Sequence, residues 1–212
     1  MLKVSEIFLS IQGEGTRAGE PCTFVRLAGC NLRCRWCDTK YAWEDGQEMS
    51  VPEVLARVAA LRSRTVEVTG GEPLTQPAAI ELLKELCDAG YQTLLETNGS
   101  LDISQVDPRV VRIVDFKCPS SGAEGHDLWA NVGHLTARDE VKFVLADHAD
   151  YQFARQVLRR HKLSEKCTVI FSPVHGRLAP ARLAEWILAD NLDVRLGLQL
   201  HKIIWPDRDR GV

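Results

Sequence analysis

The chain has 212 residues, 45% of them hydrophobic and 26% charged, enough for one domain with a sizeable core. Its net charge of −3 and pI of about 6.1 give no global reason to expect nucleic acid or a membrane as a direct partner. No uninterrupted apolar stretch is long enough to span a bilayer, and the opening Met1-Leu-Lys-Val-Ser-Glu lacks the basic-then-apolar run of a signal peptide, so the expected location is cytoplasmic.

Taken in chain order, short apolar and β-branched runs alternate with helical patterns. The first strand is expected over 22–27 and the first helix over 51–62, with Ser50 as its cap and Glu53 placed to complete a capping box. Next come a strand at 65–69 and a helix at 77–89, with Ile80, Leu83, Leu86 and Cys87 on one face and Gly90 where a terminating glycine belongs. Strands at 91–96, 111–116 and 140–145, a helix at 149–161, a strand at 167–171, a helix at 180–190 and a strand at 194–200 complete the pattern. Residues 119–139 are irregular enough to form a long functional loop.

Such alternation implies a parallel sheet covered by helices. A complete (β/α)₈ barrel takes about 250 residues. Six to seven mostly parallel strands therefore fit an α/β partial barrel in a single domain, 1–212, with a flat doubly wound sheet as the alternative. Chemistry-bearing residues gather at the ends of these strands. Cys30 follows the first strand, Thr69-Gly-Gly-Glu72 ends the second, and Glu96-Thr-Asn-Gly99 ends the third. Lys117, then Ser172 to His175, then Gln199 and His201 stand at later ends. Parallel α/β folds build their sites there, so these positions point to one shared cavity.

Seven cysteines, an odd number, argue against a disulfide framework. Three of them lie within Cys30-Asn-Leu-Arg-Cys34-Arg-Trp-Cys37. A structural zinc wants four ligands, and no fourth Cys or His stands close by in the sequence. Three thiolates with an open position suit a [4Fe–4S] cluster whose fourth iron binds something else. Cys22, Cys87, Cys118 and Cys167 are expected to pack as small apolar residues.

The C-x₃-C-x₂-C spacing, with aromatic Trp36 before its last cysteine, resembles the signature of the radical S-adenosylmethionine (SAM) superfamily. Thr69-Gly-Gly-Glu72-Pro73 resembles the glycine-rich motif of the same superfamily. A closer resemblance covers residue 6 to the C-terminus. Ile11-Gln12-Gly13-Glu14-Gly15, Arg26, Ala28-Gly-Cys-Asn-Leu32 and Cys37-Asp38-Thr39 are similar to the 7-carboxy-7-deazaguanine synthase family. Glu96-Thr-Asn-Gly99, Lys117-Cys-Pro-Ser120-Ser-Gly122 and Gln199-Leu-His201-Lys202 continue the match.

That resemblance implies a partial barrel of the radical SAM type and a lyase of queuosine biosynthesis. The family converts 6-carboxy-5,6,7,8-tetrahydropterin to 7-carboxy-7-deazaguanine by a radical ring contraction with loss of ammonia. It further implies a [4Fe–4S] cluster on Cys30, Cys34 and Cys37, S-adenosyl-L-methionine used catalytically, and Mg²⁺ met by the hydroxyl of Thr39. Substrate would be bound by Ile11, Gln12, Gly13, Glu14, Arg26, Thr69, Glu96, His201 and Pro206. The cosubstrate would be bound by Trp36, Asp38, Gly71, Glu72, Lys117, Ser120, Ser172 and His175. A homodimer and an electron donor such as flavodoxin or ferredoxin are implied as well. Read without the family, Thr39 is a loop hydroxyl bonded to backbone, His201 a satisfied core histidine, and Glu96 a carboxylate bonded to the turn at Asn98-Gly99. Some members end near the position of Pro206, whereas six residues follow it here. Two rival functions share the cluster: a small activase that makes glycyl radicals on a partner protein, and a non-enzymatic regulator stabilised by a cluster or zinc.

Overall fold

A β-bulge conceals the first strand from any period-two pattern. Strand β1 (Leu2–Ile11) shifts register between Val4 and Glu6, so the face that buries Leu2 and Val4 is not continued by every second residue beyond. In the computed structural model, which describes all residues from Met1 to Val212, β1 pairs antiparallel with β2 (Pro21–Leu27) and with the short β3 (Gln47–Met49). Six more strands then add in parallel: β4 (Thr65–Gly70), β5 (Gln92–Thr97), β6 (Val111–Phe116), β7 (Glu140–Leu145), β8 (Thr168–Pro173) and β9 (Arg195–Leu196). The sheet of nine strands runs β3-β1-β2-β4-β5-β6-β7-β8-β9 and does not close on itself. It is the expected α/β partial barrel with two additional antiparallel strands at one edge.

Helices α1 (Val51–Ala60), α2 (Ala78–Asp88), α3 (His148–His161) and α4 (Pro180–Ala189) connect the parallel strands. Ser50 and Glu53 form the complete capping box, with the Glu53 carboxylate accepting from the Ser50 amide at 2.7 Å. Gly90 ends α2 with φ +87, the left-handed conformation that glycine adopts without a Cβ clash. Leu82, Leu83 and Leu86 of α2 and Val54 and Val58 of α1 are buried in one core with Val66, Val68 and Leu95 of the sheet. No helix is long and apolar enough to cross a membrane.

The strand alternation separates two faces. Val25 and Leu27, Val66 and Val68, Val114 and Phe116, Val141 and Phe143 enter the apolar core. Their neighbours Arg26, Glu67, Thr69, Asp115 and Lys142 turn the other way and line a cavity.

The end of the chain departs from expectation. The strand expected over 194–200 is formed only by Arg195 and Leu196. Gly197 then packs so closely on Ile170 that a Cβ would lie 2.6 Å from it. The Leu200 amide binds the Gly13 carbonyl at 2.9 Å. Gln199 caps, and His201 belongs to, a short helix α5 (Leu200–Ile204) instead of a strand end. Residues 119–139 form short 3₁₀ turns, none of which reaches the cavity. Their work is to support the fold: the Asn131 amide donates to the carbonyls of Gly99 and Leu101.

Candidate active site

The cavity has a volume of about 430 Å³ and opens at the carboxyl ends of the parallel strands. The loop after β2 brings Cys30, Cys34 and Cys37 to its wall, together with Trp36, Asp38 and Thr39. This loop is held from several sides. The Arg35 amide donates to the Ser121 carbonyl at 3.0 Å, and the Gly29 amide to the Ala42 carbonyl at 2.8 Å. Lys202 of α5 pairs with Asp38 at 2.9 Å. All three thiols are partly exposed and none is in a disulfide. No three His, Cys, Asp or Glu side chains converge tightly enough to hold a single metal ion. The three thiols all stand on the cavity wall, the donor set that a [4Fe–4S] cluster with one open iron takes. Burial pushes the Cys30 and Cys34 thiols above their ordinary value. The other four cysteines pack as expected, with Cys22, Cys118 and Cys167 buried and Cys87 half-buried.

The Gly70-Gly71 pair closes the gap between strand ends. A Cβ on Gly71 would meet the Gly29 carbonyl oxygen at 2.0 Å, and the Glu72 amide donates to that same carbonyl at 2.8 Å. Close approach of this strand end to the cysteine loop therefore requires glycine. Glu72 itself is fully buried. Its carboxylate accepts from the Thr97 hydroxyl at 2.9 Å and the Asn98 amide at 2.7 Å. The carboxylate that ties down the Asn98-Gly99 turn is Glu72, and Glu96 is left facing the cavity.

Of the expected residues, Ile11, Gln12, Gly13, Glu14, Arg26, Thr69, Glu96, His201 and Pro206 all reach this cavity, as do Gly71, Lys117 and His175. Glu72, Ser120 and Ser172 do not line it. The Ser120 hydroxyl donates to Asp147, the α3 cap, at 2.9 Å, and Ser172 is buried within β8.

The segment from Gln12 to Gly15 enters the cavity because its loop is pinned at both sides. The Thr16 amide donates to the Glu140 carboxylate at 3.1 Å, and Gly13 packs so tightly on α5 that a Cβ would lie 2.4 Å from His201 Nδ1. Burial lowers the pKa of His201, which favours the neutral ring. Arg26 donates through Nε to Glu6 at 2.7 Å, and Tyr41 donates to the same Glu6 oxygen at 2.6 Å. Its two terminal nitrogens make no bond within the protein.

Glu67, Asp115 and Lys142 are additions to the expected set. Lys142 is 5% exposed, and its ammonium bonds Glu14 at 2.6 Å and also Glu96, with Asp115 at 3.5 Å. Asp115 pairs with Lys117 at 2.9 Å, and its Oδ1 is buried with no partner. Burial opposes the charge on Glu14, yet Lys142 and the Gln199 amide, which donates to it at 2.8 Å, outweigh this and hold its pKa below the usual value. Burial, reinforced by the nearby Glu96, pushes the Glu67 pKa well up, which favours its protonated form beside the Gln12 amide that donates to it. The signal for these three was in the sequence: single charged residues between apolar ones, as in Val66-Glu67-Val68, Val114-Asp115-Phe116 and Val141-Lys142-Phe143.

The last residues cross the cavity mouth. Trp205, Pro206, Arg208, Asp209 and Val212 line it. Arg210 pairs with Asp45 at 2.9 Å and lies 4.2 Å above the Tyr41 ring, while the Gly211 amide donates to Glu6 at 3.2 Å.

Comparison with known proteins agrees with this geometry. Residues 25–114 match the model of the radical SAM superfamily. The 7-carboxy-7-deazaguanine synthase of Chlorobaculum tepidum is 51% identical over 100% of this chain and 97% of its own length. That of Koribacter versatilis is 45% identical over 100% of both chains. Among solved structures, the crystal structure of QueE from Escherichia coli superposes with a TM-score of 0.77 at 25% identity, covering 93% of each chain.

Proposed function

The chain belongs to the 7-carboxy-7-deazaguanine synthase family of radical SAM enzymes, and from that premise we infer what each part of its cavity does. The reaction is the ring contraction of 6-carboxy-5,6,7,8-tetrahydropterin to 7-carboxy-7-deazaguanine with release of ammonia, a carbon–nitrogen lyase step in queuosine biosynthesis. When bound, a [4Fe–4S] cluster and S-adenosylmethionine supply the one-electron reduction and the radical chemistry. Cys30, Cys34 and Cys37 would hold the cluster, and Trp36, Asp38, Gly71, Lys117 and His175 would surround the cosubstrate. Glu72 and Ser120 would act on it through the loops they brace, and Ser172 through the strand it packs.

The observation that carries the substrate assignment is the charge arrangement of the pocket opposite the cysteines. Arg26 presents two unbonded guanidinium nitrogens, matched to a carboxylate. Glu96 and Glu14 present carboxylates held by Lys142. A pyrimidinone edge carries a ring N–H beside an exocyclic NH₂, and an ionised carboxylate accepts both. His201 and Gln12 border the same space, which is lined on its remaining sides by Ile11, Thr69 and Pro206. The Thr39 hydroxyl, 3.7 Å from Cys37 Sγ, would meet Mg²⁺ with the substrate carboxylate as a further ligand, since this cation prefers oxygen and keeps open positions. A glycyl-radical activase needs no such polar pocket. We further propose a homodimer in the cytoplasm, supported by exposed Leu196, Ile203 and Ile204, and an electron donor of the flavodoxin or ferredoxin kind.

The test is anaerobic reconstitution with iron and sulfide, followed by incubation with reductant, S-adenosylmethionine, Mg²⁺ and 6-carboxytetrahydropterin. Conversion to 7-carboxy-7-deazaguanine, lost on replacing any of the three cysteines by Ala, is expected. Cleavage of S-adenosylmethionine with the pterin left unchanged would overturn the substrate assignment.

A further inference from the structure

Lys142 is the one buried ammonium that touches two of the proposed substrate-binding glutamates at once. It stands on β7 opposite Asp115 of β6 in the parallel register. Its Nζ bonds Glu14 from the β1–β2 loop at 2.6 Å and Glu96 from β5. Glu14 and Glu96 each retain exposure to the cavity, at 22% and 29%, while Lys142 is only 5% exposed. The cation therefore sits behind the carboxylates, and the carboxylates face the ligand space. Further bonds fix each of them: Gln199 donates to Glu14 at 2.8 Å, and the Thr69 hydroxyl donates to Glu96 at 3.3 Å. Without the ammonium, two carboxylates would share a largely desolvated space with Asp115, and mutual repulsion would turn them away or protonate them.

We propose that Lys142 is the positioning residue of the substrate pocket: its ammonium bridges Glu14 and Glu96 and holds both carboxylates aimed at the donor groups of the bound pterin. This rests on the substrate reading given above. Lys142 acts through the two glutamates, so its loss should weaken pterin binding and leave S-adenosylmethionine binding alone. The groups around Glu14 are Lys142, Glu96 of β5, Glu67 of β4, Asp115 of β6, Lys117 just after β6, and His201 of α5. Lys142 is the cation in direct contact with it. Removing that cation lets Glu14 take up a proton at a higher pH than in the wild type, and a protonated carboxyl no longer offers two acceptors.

The experiment measures kcat and KM for 6-carboxytetrahydropterin from pH 4 to 9 in wild type, Lys142→Met and Lys142→Arg, all with full iron content. For Lys142→Met, KM for the pterin should rise about 100-fold, as loss of one partner of a buried ion pair requires, with KM for S-adenosylmethionine within about threefold. The acid limb of its kcat/KM profile should move to higher pH, because Glu14 has lost the ammonium that favours its charged form. Lys142→Arg, which keeps the charge, should recover most of the binding. A general structural defect would lower the rate at every pH and leave the limb in place. If Lys142→Met does not fold, the pair Glu14→Gln/Lys142→Met removes one charge of each sign and is compared with Glu14→Gln alone. The pair should show the higher pterin KM, because Glu96 has then lost its bridge. An unmoved acid limb and pterin KM in Lys142→Met, or equal KM values in the second comparison, would overturn the role of Lys142 while leaving the substrate reading intact. Failure of the wild type to convert the pterin would overturn the substrate reading, and this inference with it.

Discussion

Single side chains in this cavity are set by what stands immediately behind them. Glu96→Gln keeps the shape of the side chain but turns an acceptor into a donor, facing Lys142 on one side and the pterin N–H groups on the other. The expected result is a rise of about 100-fold in KM for the pterin with the iron content unchanged, since a polar group left unmatched in a buried site loses its full desolvation cost. Gly13→Ala acts through sterics alone. Its Cβ would lie 2.4 Å from His201 Nδ1 and 3.2 Å from the His201 backbone nitrogen, so α5 must retreat; steady-state kinetics should show pterin KM raised more than that of S-adenosylmethionine. Glu67 gives a prediction of opposite sign. Burial raises its folded-state pKa, so the folded state binds a proton that the unfolded chain has lost, and stability falls as pH climbs from the unfolded pKa toward the folded one. Glu67→Gln removes this penalty while still able to accept from Gln12. Its melting temperature should exceed that of the wild type at pH 7 to 8, and the difference should close in acid, below the unfolded pKa.

The strands divide their two ends between chemistry and stability. At the amino end of β6 and just before β7, Arg112 and Asp139 form a buried ion pair at 2.7 Å, the side chains 6% and 1% exposed. Asp139 also accepts from the Arg112 amide and from Thr136. Asp139→Ala leaves a buried guanidinium and two amides without partners, and should cost about 3–5 kcal/mol in urea unfolding, with little effect on KM in the protein that remains folded. The parallel strands were legible in sequence because their apolar runs are bounded by turn residues, and the helix ends because Ser50, Glu53 and Gly90 act locally. Strand β1 was not, because its bulge breaks the period; β3, with three residues, is too short to show one. The fate of 197–204 was decided by a contact distant in sequence, the bond from Leu200 to Gly13. Within the site, the motifs pointed to Gln12, Glu14, Glu96 and the three cysteines. Lys142 carries no motif, and its role follows only from which strands are neighbours.

As a whole the molecule is an open sheet whose first and last segments meet across the cavity. The antiparallel β1–β2 pair supplies Arg26 and its partner Glu6, and the loop between them Gln12 and Glu14; α5 supplies His201, and the loop after β2 supplies the thiols, so the pocket is complete only when both ends of the chain have docked. Arg26 lies at the junction, since its Glu6 partner also accepts from the Gly211 amide. Six residues follow Pro206, and three of them, Arg208, Asp209 and Val212, line the pocket. This bears directly on how the enzyme is handled. A purification tag fused after Val212 would emerge at the substrate entrance and pull on the segment that touches Glu6, whereas Met1 is 70% exposed and lies outside that cavity. Enzyme tagged at the carboxyl end should therefore show a higher pterin KM than enzyme tagged at the amino end, and cutting the tag away should bring the two preparations together.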